Sequence, residues 1–442
     1  MPQFTLPTRK NNPSRKIAYI NARLFDAASR MDEKGALLTE GGIIADFGPR
    51  LFSDGVPEGI EIVDCGGHLL SPGLIDIQVH FREPGQEHKE TLETGSKSAS
   101  SGGITTVICQ PNTKPVIDNV EQLEYLKKRE RESAFVNIRV YPAITEAMKG
   151  EKVTDMAAMK EAGAVGFTDD GLPVMNARLM REAFIMSKKL GVPIAQHAED
   201  LNLSNGGCIN EGEVSRKLGV KGIPNISESV IVARDILILE NTGGHYHVLH
   251  VSTAEAVDLI RAARKKGLKV TAEAAPHHFT LTDAEVLRSG TNAKMNPPLR
   301  SEKDRLAIIE GLKDHTIEAI ATDHAPHDLD SKNLPLQNAT FGIVGVETLL
   351  PLSLGLYHDK TLSLSEVMAK LTFQPADIIG EKRGRIAKNY PADLTLIDIN
   401  HEWIIEPEKF NSKSKNSPFG GRKVRGRALK TILGGEIVYS FS

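Results

Sequence analysis

Between residues 74 and 327 the chain repeats one pattern eight times: a short apolar run rich in β-branched residues, then a stretch with helical spacing. The runs are "LIDIQVHF", "ITTVICQ", "VNIRVYPAI", "AVGFTDD", "PIAQHAED", "YHVLHVS", "KVTAEAAPHH" and "IEAIATDHAPH". Several are apolar almost throughout, as strands covered on both faces of a parallel sheet must be. Among the intervening stretches, "NARLMREAFIMSKKLG" sets Leu179, Met180, Ala183, Phe184 and Leu190 on one helical face and stops at Gly191. "STAEAVDLIRAARKKG" places Ser252 and Glu255 at capping-box spacing and closes on Lys265, Lys266 and Gly267. The alternation predicts an α/β fold, a (β/α)8 TIM-type barrel. A doubly wound open sheet is the rival, but no GxGxxG or GxxxxGK[ST] loop follows any of the runs.

The two ends read differently. Before residue 70, "IAYINARLF", "ALLTEGGIIADFG" and "IEIVDCGGHLLSPG" are apolar runs separated by glycine-rich turns, and "ADLTLIDI" and "ALKTILGGEIVYSF" repeat that style near the other end. A small composite β-sandwich is expected from residues 1–70 and 381–442, flanking a barrel over residues 71–380. A barrel of this kind can absorb most of a 442-residue chain as one unit.

Composition excludes several classes of partner. A net charge of −3 and a pI near 6.6 give no basic field for nucleic acid. The basic clusters "KKRERE" (127–132) and "GGRKVRGR" (420–427) are expected to be solvated faces without a function of their own. No stretch is apolar enough to span a bilayer, and the polar opening segment has no signal-peptide core, so a cytoplasmic location is expected. Cys65, Cys109 and Cys208 are too scattered for a disulfide framework or a CxxC zinc knuckle, in keeping with a reducing compartment. A homodimer is the expected oligomer on general grounds.

Chemistry in a barrel gathers at the C-terminal ends of its strands. There the sequence places His80, then Asp169 and Asp170, His197, His250, His277 and His278, and finally Asp323 with His324 and His327. Any one of these is an ordinary turn or core residue; their recurrence at the same end of successive strands points to a metal site. Imidazole and carboxylate without thiolate suit zinc or a neighbouring divalent ion with an open position for water, whose pKa such an ion lowers towards about 7. Asp323, carried by the run "IEAIAT", is placed to move a proton between water and a leaving nitrogen. Arg82, two residues after His80 and on the same side of an extended segment, suggests a carboxylate-bearing substrate. Asn112 in "QPNT" and His327 are further candidate contacts.

The motifs "GLIDIQVHFREPG", "QPNT", "GFTDDG", "QHAED", "HVST", "PHH", "NPPLR", "TDHAPH", "FGIVGVET" and "SKSKNSPFGG" occur in an order that resembles the dihydroorotases of the long, class I type within the amidohydrolase superfamily. The resemblance runs from about residue 17 to near the C-terminus. It implies a zinc enzyme of pyrimidine biosynthesis that interconverts N-carbamoyl-L-aspartate and L-dihydroorotate. Carried over by position, it makes His80, Asp170, His197, His250 and Asp323 metal ligands, with Asp323 also the general acid/base. Arg82, Asn112, His327 and Asn296 become substrate contacts. The bridging position, often a carboxylated lysine in the superfamily, is Asp170 here; that, with Arg82 and Asn112, favours dihydroorotase over hydantoinases and allantoinases.

One position departs from the pattern. The resemblance expects the first histidine of His-x-His at residue 78, where this chain has Gln78. A neutral amide oxygen is a poor zinc ligand, so one firmly held zinc is expected, with a second weak or absent. Two alternatives to an active dihydroorotase stay open on this reading: a catalytically silent subunit supporting an aspartate carbamoyltransferase, and a cyclic-amide hydrolase of hydantoinase or allantoinase type. The polar segment 328–342 is read either as a lid over the mouth or as an ordinary surface loop.

Overall fold

The structure is a computed structural model; it describes residues 2–9 and 15–441. Part of the polar opening segment, residues 10–14, lies outside the described residues.

Seven of the eight runs form parallel strands. Leu74–Val79, Ile104–Cys109 and Asn137–Val140 make one ladder; Ile194–Gln196, Tyr246–Val248, Val270–Ala274 and Ala319–Ile320 make another. The run around Phe167 is the remaining stave, bonded through Val165 N to Val140 O at 3.3 Å and by a parallel bridge from Phe167 to Ile194. At the other margin His80 N donates to His324 O at 2.8 Å and Val79 bridges His324. The ring is thus completed by single bridges and lone hydrogen bonds rather than by one continuous ladder. Every residue of the first two strands is buried, Asp76, Gln78, Thr105 and Thr106 included, as expected of strands covered on both faces. Ile75, Ile77, Ile108, Tyr141, Ala195 and Leu249 fill the inside, and the helix Phe373–Ile379 adds Ala376, Ile378 and Ile379 to that cluster.

The helices follow their caps. Ala177–Leu190 begins at Asn176, whose side chain accepts from Arg178 N, and ends at Gly191, which has a φ of 69°. It buries Leu179, Met180, Ala183 and Phe184 against the strands. The helix Ala254–Lys265 starts one residue later than its spacing predicts: Thr253, not Ser252, is the cap and accepts from Ala256 N. The buried Glu228 carboxylate accepts from the hydroxyls and backbone N–H groups of both Ser252 and Thr253, and ties the start of this helix to the neighbouring one.

The β-rich strands from the two ends join in one hydrogen-bonded path, with Leu69–Pro72 pairing antiparallel to Leu394–Ile397 where the two segments meet. The path turns back on itself: Ile44 N donates to Tyr390 O at 2.8 Å, and Ala392 N to Gly42 O at 2.9 Å. Tyr19, Leu24, Leu37, Ile44, Leu394, Leu396 and Ile432 pack between the layers so formed. All three cysteines are free and buried. No helix among the described residues is long and apolar enough to cross a membrane.

Candidate metal centre

The strand ends bring together two groups of donors that share one carboxylate. Asp170, His197 and His250 form the first; His80, Asp170 and Asp323 form the second. All five side chains are buried. In the first group Asp170 Oδ1 lies 3.5 Å from His197 Nδ1 and 3.5 Å from His250 Nε2, and the two nitrogens are 3.0 Å apart. Zinc–ligand bonds of 2.0–2.1 Å set neighbouring ligand atoms of a tetrahedral ion about 3.3 Å apart. The three atoms therefore stand close to three corners of such a tetrahedron, and two neutral imidazoles with one carboxylate are donors of the right type. These residues fit a divalent ion.

In the second group His80 Nε2 lies 3.0 Å from Asp323 Oδ1 and 3.3 Å from Asp170 Oδ2. Gln78, fully buried, donates its Nε2 to the same Asp170 Oδ2 at 2.9 Å. Its Oε1 has no hydrogen-bond partner among the described residues. Each oxygen of Asp170 thus serves a different side of the centre.

The electrostatics follow from that crowding. Burial would raise the Asp170 carboxyl, but hydrogen bonds with His197, His250 and His80 hold it well below the usual carboxylate range. Burial would lower His80 and His197; their carboxylate partners outweigh it and lift the imidazoles to about 9 and about 10. An ion binding here meets an anionic carboxylate and must displace protons from imidazole.

Three residues of the centre and its rim also have strained backbone. Arg82, His250 and Asp323 all have positive φ, at 62°, 31° and 50°. The first value corrects an expectation: the strand ends at Val79, so Arg82 does not lie beside His80 on an extended segment. The chain bends, and the Arg82 guanidinium goes to Pro326 O at 3.2 Å and His327 Nε2 at 3.3 Å. Burial lowers Arg82 to about 10, still cationic at neutral pH, and it forms no ion pair with a carboxylate among the described residues. Burial, then the neighbouring Arg82 cation, lower His327 to about 2 and keep it neutral.

The remaining candidates divide. Asn112 Oδ1 accepts from His80 Nδ1 at 2.8 Å, which fixes the ring with Nε2 turned to the carboxylates. Its Nδ2 approaches Gly171 so closely that a Cβ there would stand 2.7 Å away, and Gly171 also has a φ of 97°. Asn296 Nδ2 donates to Glu199 Oε2 at 2.8 Å and lies 3.4 Å from His197 Nε2. Asp169 turns away: it accepts from Ile144 N and Thr145 N and from the Thr145 hydroxyl, fixing the neighbouring loop. His277, His278 and His324 belong to neither donor group; His278 Nε2 donates to Pro297 O, and His324 Nδ1 accepts from Gly345 N.

Glu199 went unread in the sequence. Its Oε2 lies 3.0 Å from His197 Nε2, so the ring presents Nδ1 to the first donor group. Burial would raise this carboxyl, yet His197 and Asn296 bring it to about 2. The sequence signal is the acidic residue two positions after His197 in "QHAED"; the strand ends at Gln196, so strand alternation does not place it.

Residues 328–342 are held down. The helix Leu329–Lys332 buries Lys332, whose Nζ donates to Lys294 O, Thr340 O and Gly342 O at 2.9–3.2 Å. Lys294 Nζ donates to Leu336 O and Gln337 O.

Comparison with known proteins gives a consistent result. The dihydro-orotase-like family matches residues 67–256. A dihydroorotase of Wolbachia sp. subsp. Brugia malayi (strain TRS) is 60% identical over 427 residues, covering 96% of each chain. One from Pelobacter propionicus (strain DSM 2379 / NBRC 103807 / OttBd1) is 46% identical, covering 95% of this chain and 98% of its own. Among solved structures, an L-hydantoinase (dihydropyrimidinase) from Arthrobacter aurescens superposes with a TM-score of 0.86 at 25% identity, over 96% of this chain and 95% of that one.

Proposed function

The chain belongs to the dihydroorotases of the amidohydrolase superfamily, and from that premise we propose that its centre holds one firmly bound zinc at Asp170, His197 and His250. The reaction is the reversible hydrolysis of L-dihydroorotate to N-carbamoyl-L-aspartate, in pyrimidine biosynthesis. Relatives bearing the enzyme's name over nearly their whole length do not favour a silent subunit.

When bound, the ion supplies acidified water and polarises the ring carbonyl. Arg82 binds the substrate carboxylate: a buried guanidinium without an anionic partner, at the mouth where the donors converge, is the observation that carries the reading. Neutral His327, 3.3 Å from Arg82, lines the same place and accepts or donates without adding charge. Asp323 takes the proton from the attacking water and delivers it to the ring nitrogen as the C–N bond breaks. His80, 3.0 Å away, steadies the carboxylate through that exchange, and Asn112 steadies His80. Asn296 supports the substrate side of the centre through Glu199. In the reverse direction Asp323 removes the proton from the carbamoyl nitrogen, and the ring closes.

The test is turnover of dihydroorotate by the purified chain beside Arg82→Met. The expected result is hydrolysis by the native chain, and loss of most kcat/KM in the variant with its zinc content unchanged. Hydrolysis of an uncharged hydantoin with dihydroorotate left intact would overturn the reading.

A further inference from the structure

Asp170 belongs to both donor groups, and a carboxylate in that position can serve two cations, one through each oxygen. Here Oδ1 faces His197 and His250, while Oδ2 already accepts a hydrogen bond from Gln78 Nε2. Resting on the reading that zinc is held on the Oδ1 side, we propose that Gln78 is a positioning residue that takes the place of a second cation and makes the centre mononuclear.

The argument starts from what a buried carboxylate needs. An oxygen of Asp170 removed from water is costly unless a donor meets it. An N–H aimed at a charged acceptor is the stronger class of hydrogen bond, and at 2.9 Å the Gln78 amide supplies one without bringing a charge. This contact also fixes the rotation of the carboxylate, because Oδ2 anchored to the strand Leu74–Val79 leaves Oδ1 turned to the two imidazoles.

The same amide obstructs an ion on the Oδ2 side. An amide nitrogen bearing hydrogens has no lone pair to give a metal. To ligate through Oε1 the side chain must turn over, which breaks its bond to Asp170 and sets two acceptor oxygens against each other. Oε1 is moreover the kind of oxygen that hard cations prefer and zinc does not. His80, Asp323 and Asp170 remain as three possible donors on that side, but one of the two lone pairs of Asp170 Oδ2 is taken by the Gln78 bond, which leaves that oxygen a weaker ligand.

The experiment measures metal directly. The purified full-length chain, Gln78→His and Gln78→Met are loaded with zinc and desalted. Zinc per chain is then measured by elemental analysis, and affinity by competition with a chromogenic chelator. The native chain is expected to hold one zinc. Gln78→His, which puts a nitrogen lone pair where an N–H now points, is expected to hold two. Gln78→Met keeps the shape without the donor, and is expected to hold one zinc about 10- to 100-fold more weakly. Two tightly held zinc ions in the native chain, or a Met variant as tight as native, overturn the proposal. If the Met variant does not fold, the native and His stoichiometries decide the matter between them. Dihydroorotate turnover is followed in parallel. Hydrolysis by a native chain holding two zinc ions overturns this proposal and leaves the reaction standing, whereas one zinc in the native chain without hydrolysis overturns the reaction and supports the proposal.

Discussion

The two sides of Asp170 are built from the same strand ends yet do different work. On the Oδ1 side two imidazoles 3.0 Å apart meet one carboxylate oxygen, and Glu199 holds the far nitrogen of His197. On the Oδ2 side there is one imidazole, a second carboxylate and an amide whose N–H is turned inward. The first arrangement has the donors and the supporting carboxylate that the proposed zinc needs; the second leaves Asp323, the proposed acid/base, beside His80 at a backbone φ of 50°. On the proposed reading, metal holding and proton transfer are separated within one cluster by a single side chain that donates to the shared carboxylate.

That division is broken most severely by His250→Ala. Zinc content is expected to fall from about one per chain to near zero, and hydrolysis to disappear with it, as read by elemental analysis and a turnover assay. Asp323→Asn acts on the other side: kcat is expected to drop by about 10²–10⁴-fold, the range for loss of a positioned acid/base, while zinc stays near one per chain. Loss of zinc in that variant would show the division to be false. Glu199→Gln sharpens it further, weakening zinc by about 10- to 100-fold in chelator competition, as removal of a ligand's carboxylate partner does.

The smallest effect is in pH dependence. Glu199 has a folded pKa of about 2 against an ordinary 4.5. A lowered carboxyl pKa contributes stability that is complete above the ordinary value and is lost as pH falls towards the folded one. The metal-free native chain should therefore lose stability more steeply than Glu199→Gln between pH 4.5 and 2, as measured by denaturant titration.

Much of this was legible in the sequence, for physical reasons. Strands covered on both faces leave nearly unbroken apolar runs, so the staves could be counted, and a barrel puts their ends at one mouth. The convergence of His80, His197, His250 and Asp323 follows from that placement, whereas the choice of Asp170 over Asp169 came from the resemblance to the dihydroorotases. What was not legible depended on contacts distant in sequence. Ser252 looked like a helix cap, and the cap is its neighbour Thr253. Asn112 looked like a substrate contact, and its carbonyl is engaged by His80. Arg82 was placed by an extended-chain rule that fails once the backbone takes a positive φ. Gln78 could be flagged as a departure from the His-x-His pattern that the resemblance implies, but the direction of its amide towards Asp170 needed the fold.

Anomalous X-ray scattering at the zinc edge, from crystals of the zinc-loaded native chain, tests the central claim most directly. The account predicts one peak per chain, within bonding distance of Asp170 Oδ1, His197 Nδ1 and His250 Nε2, with Gln78 still donating to Asp170. A peak between His80 and Asp323, alone or as the second of two, would contradict it.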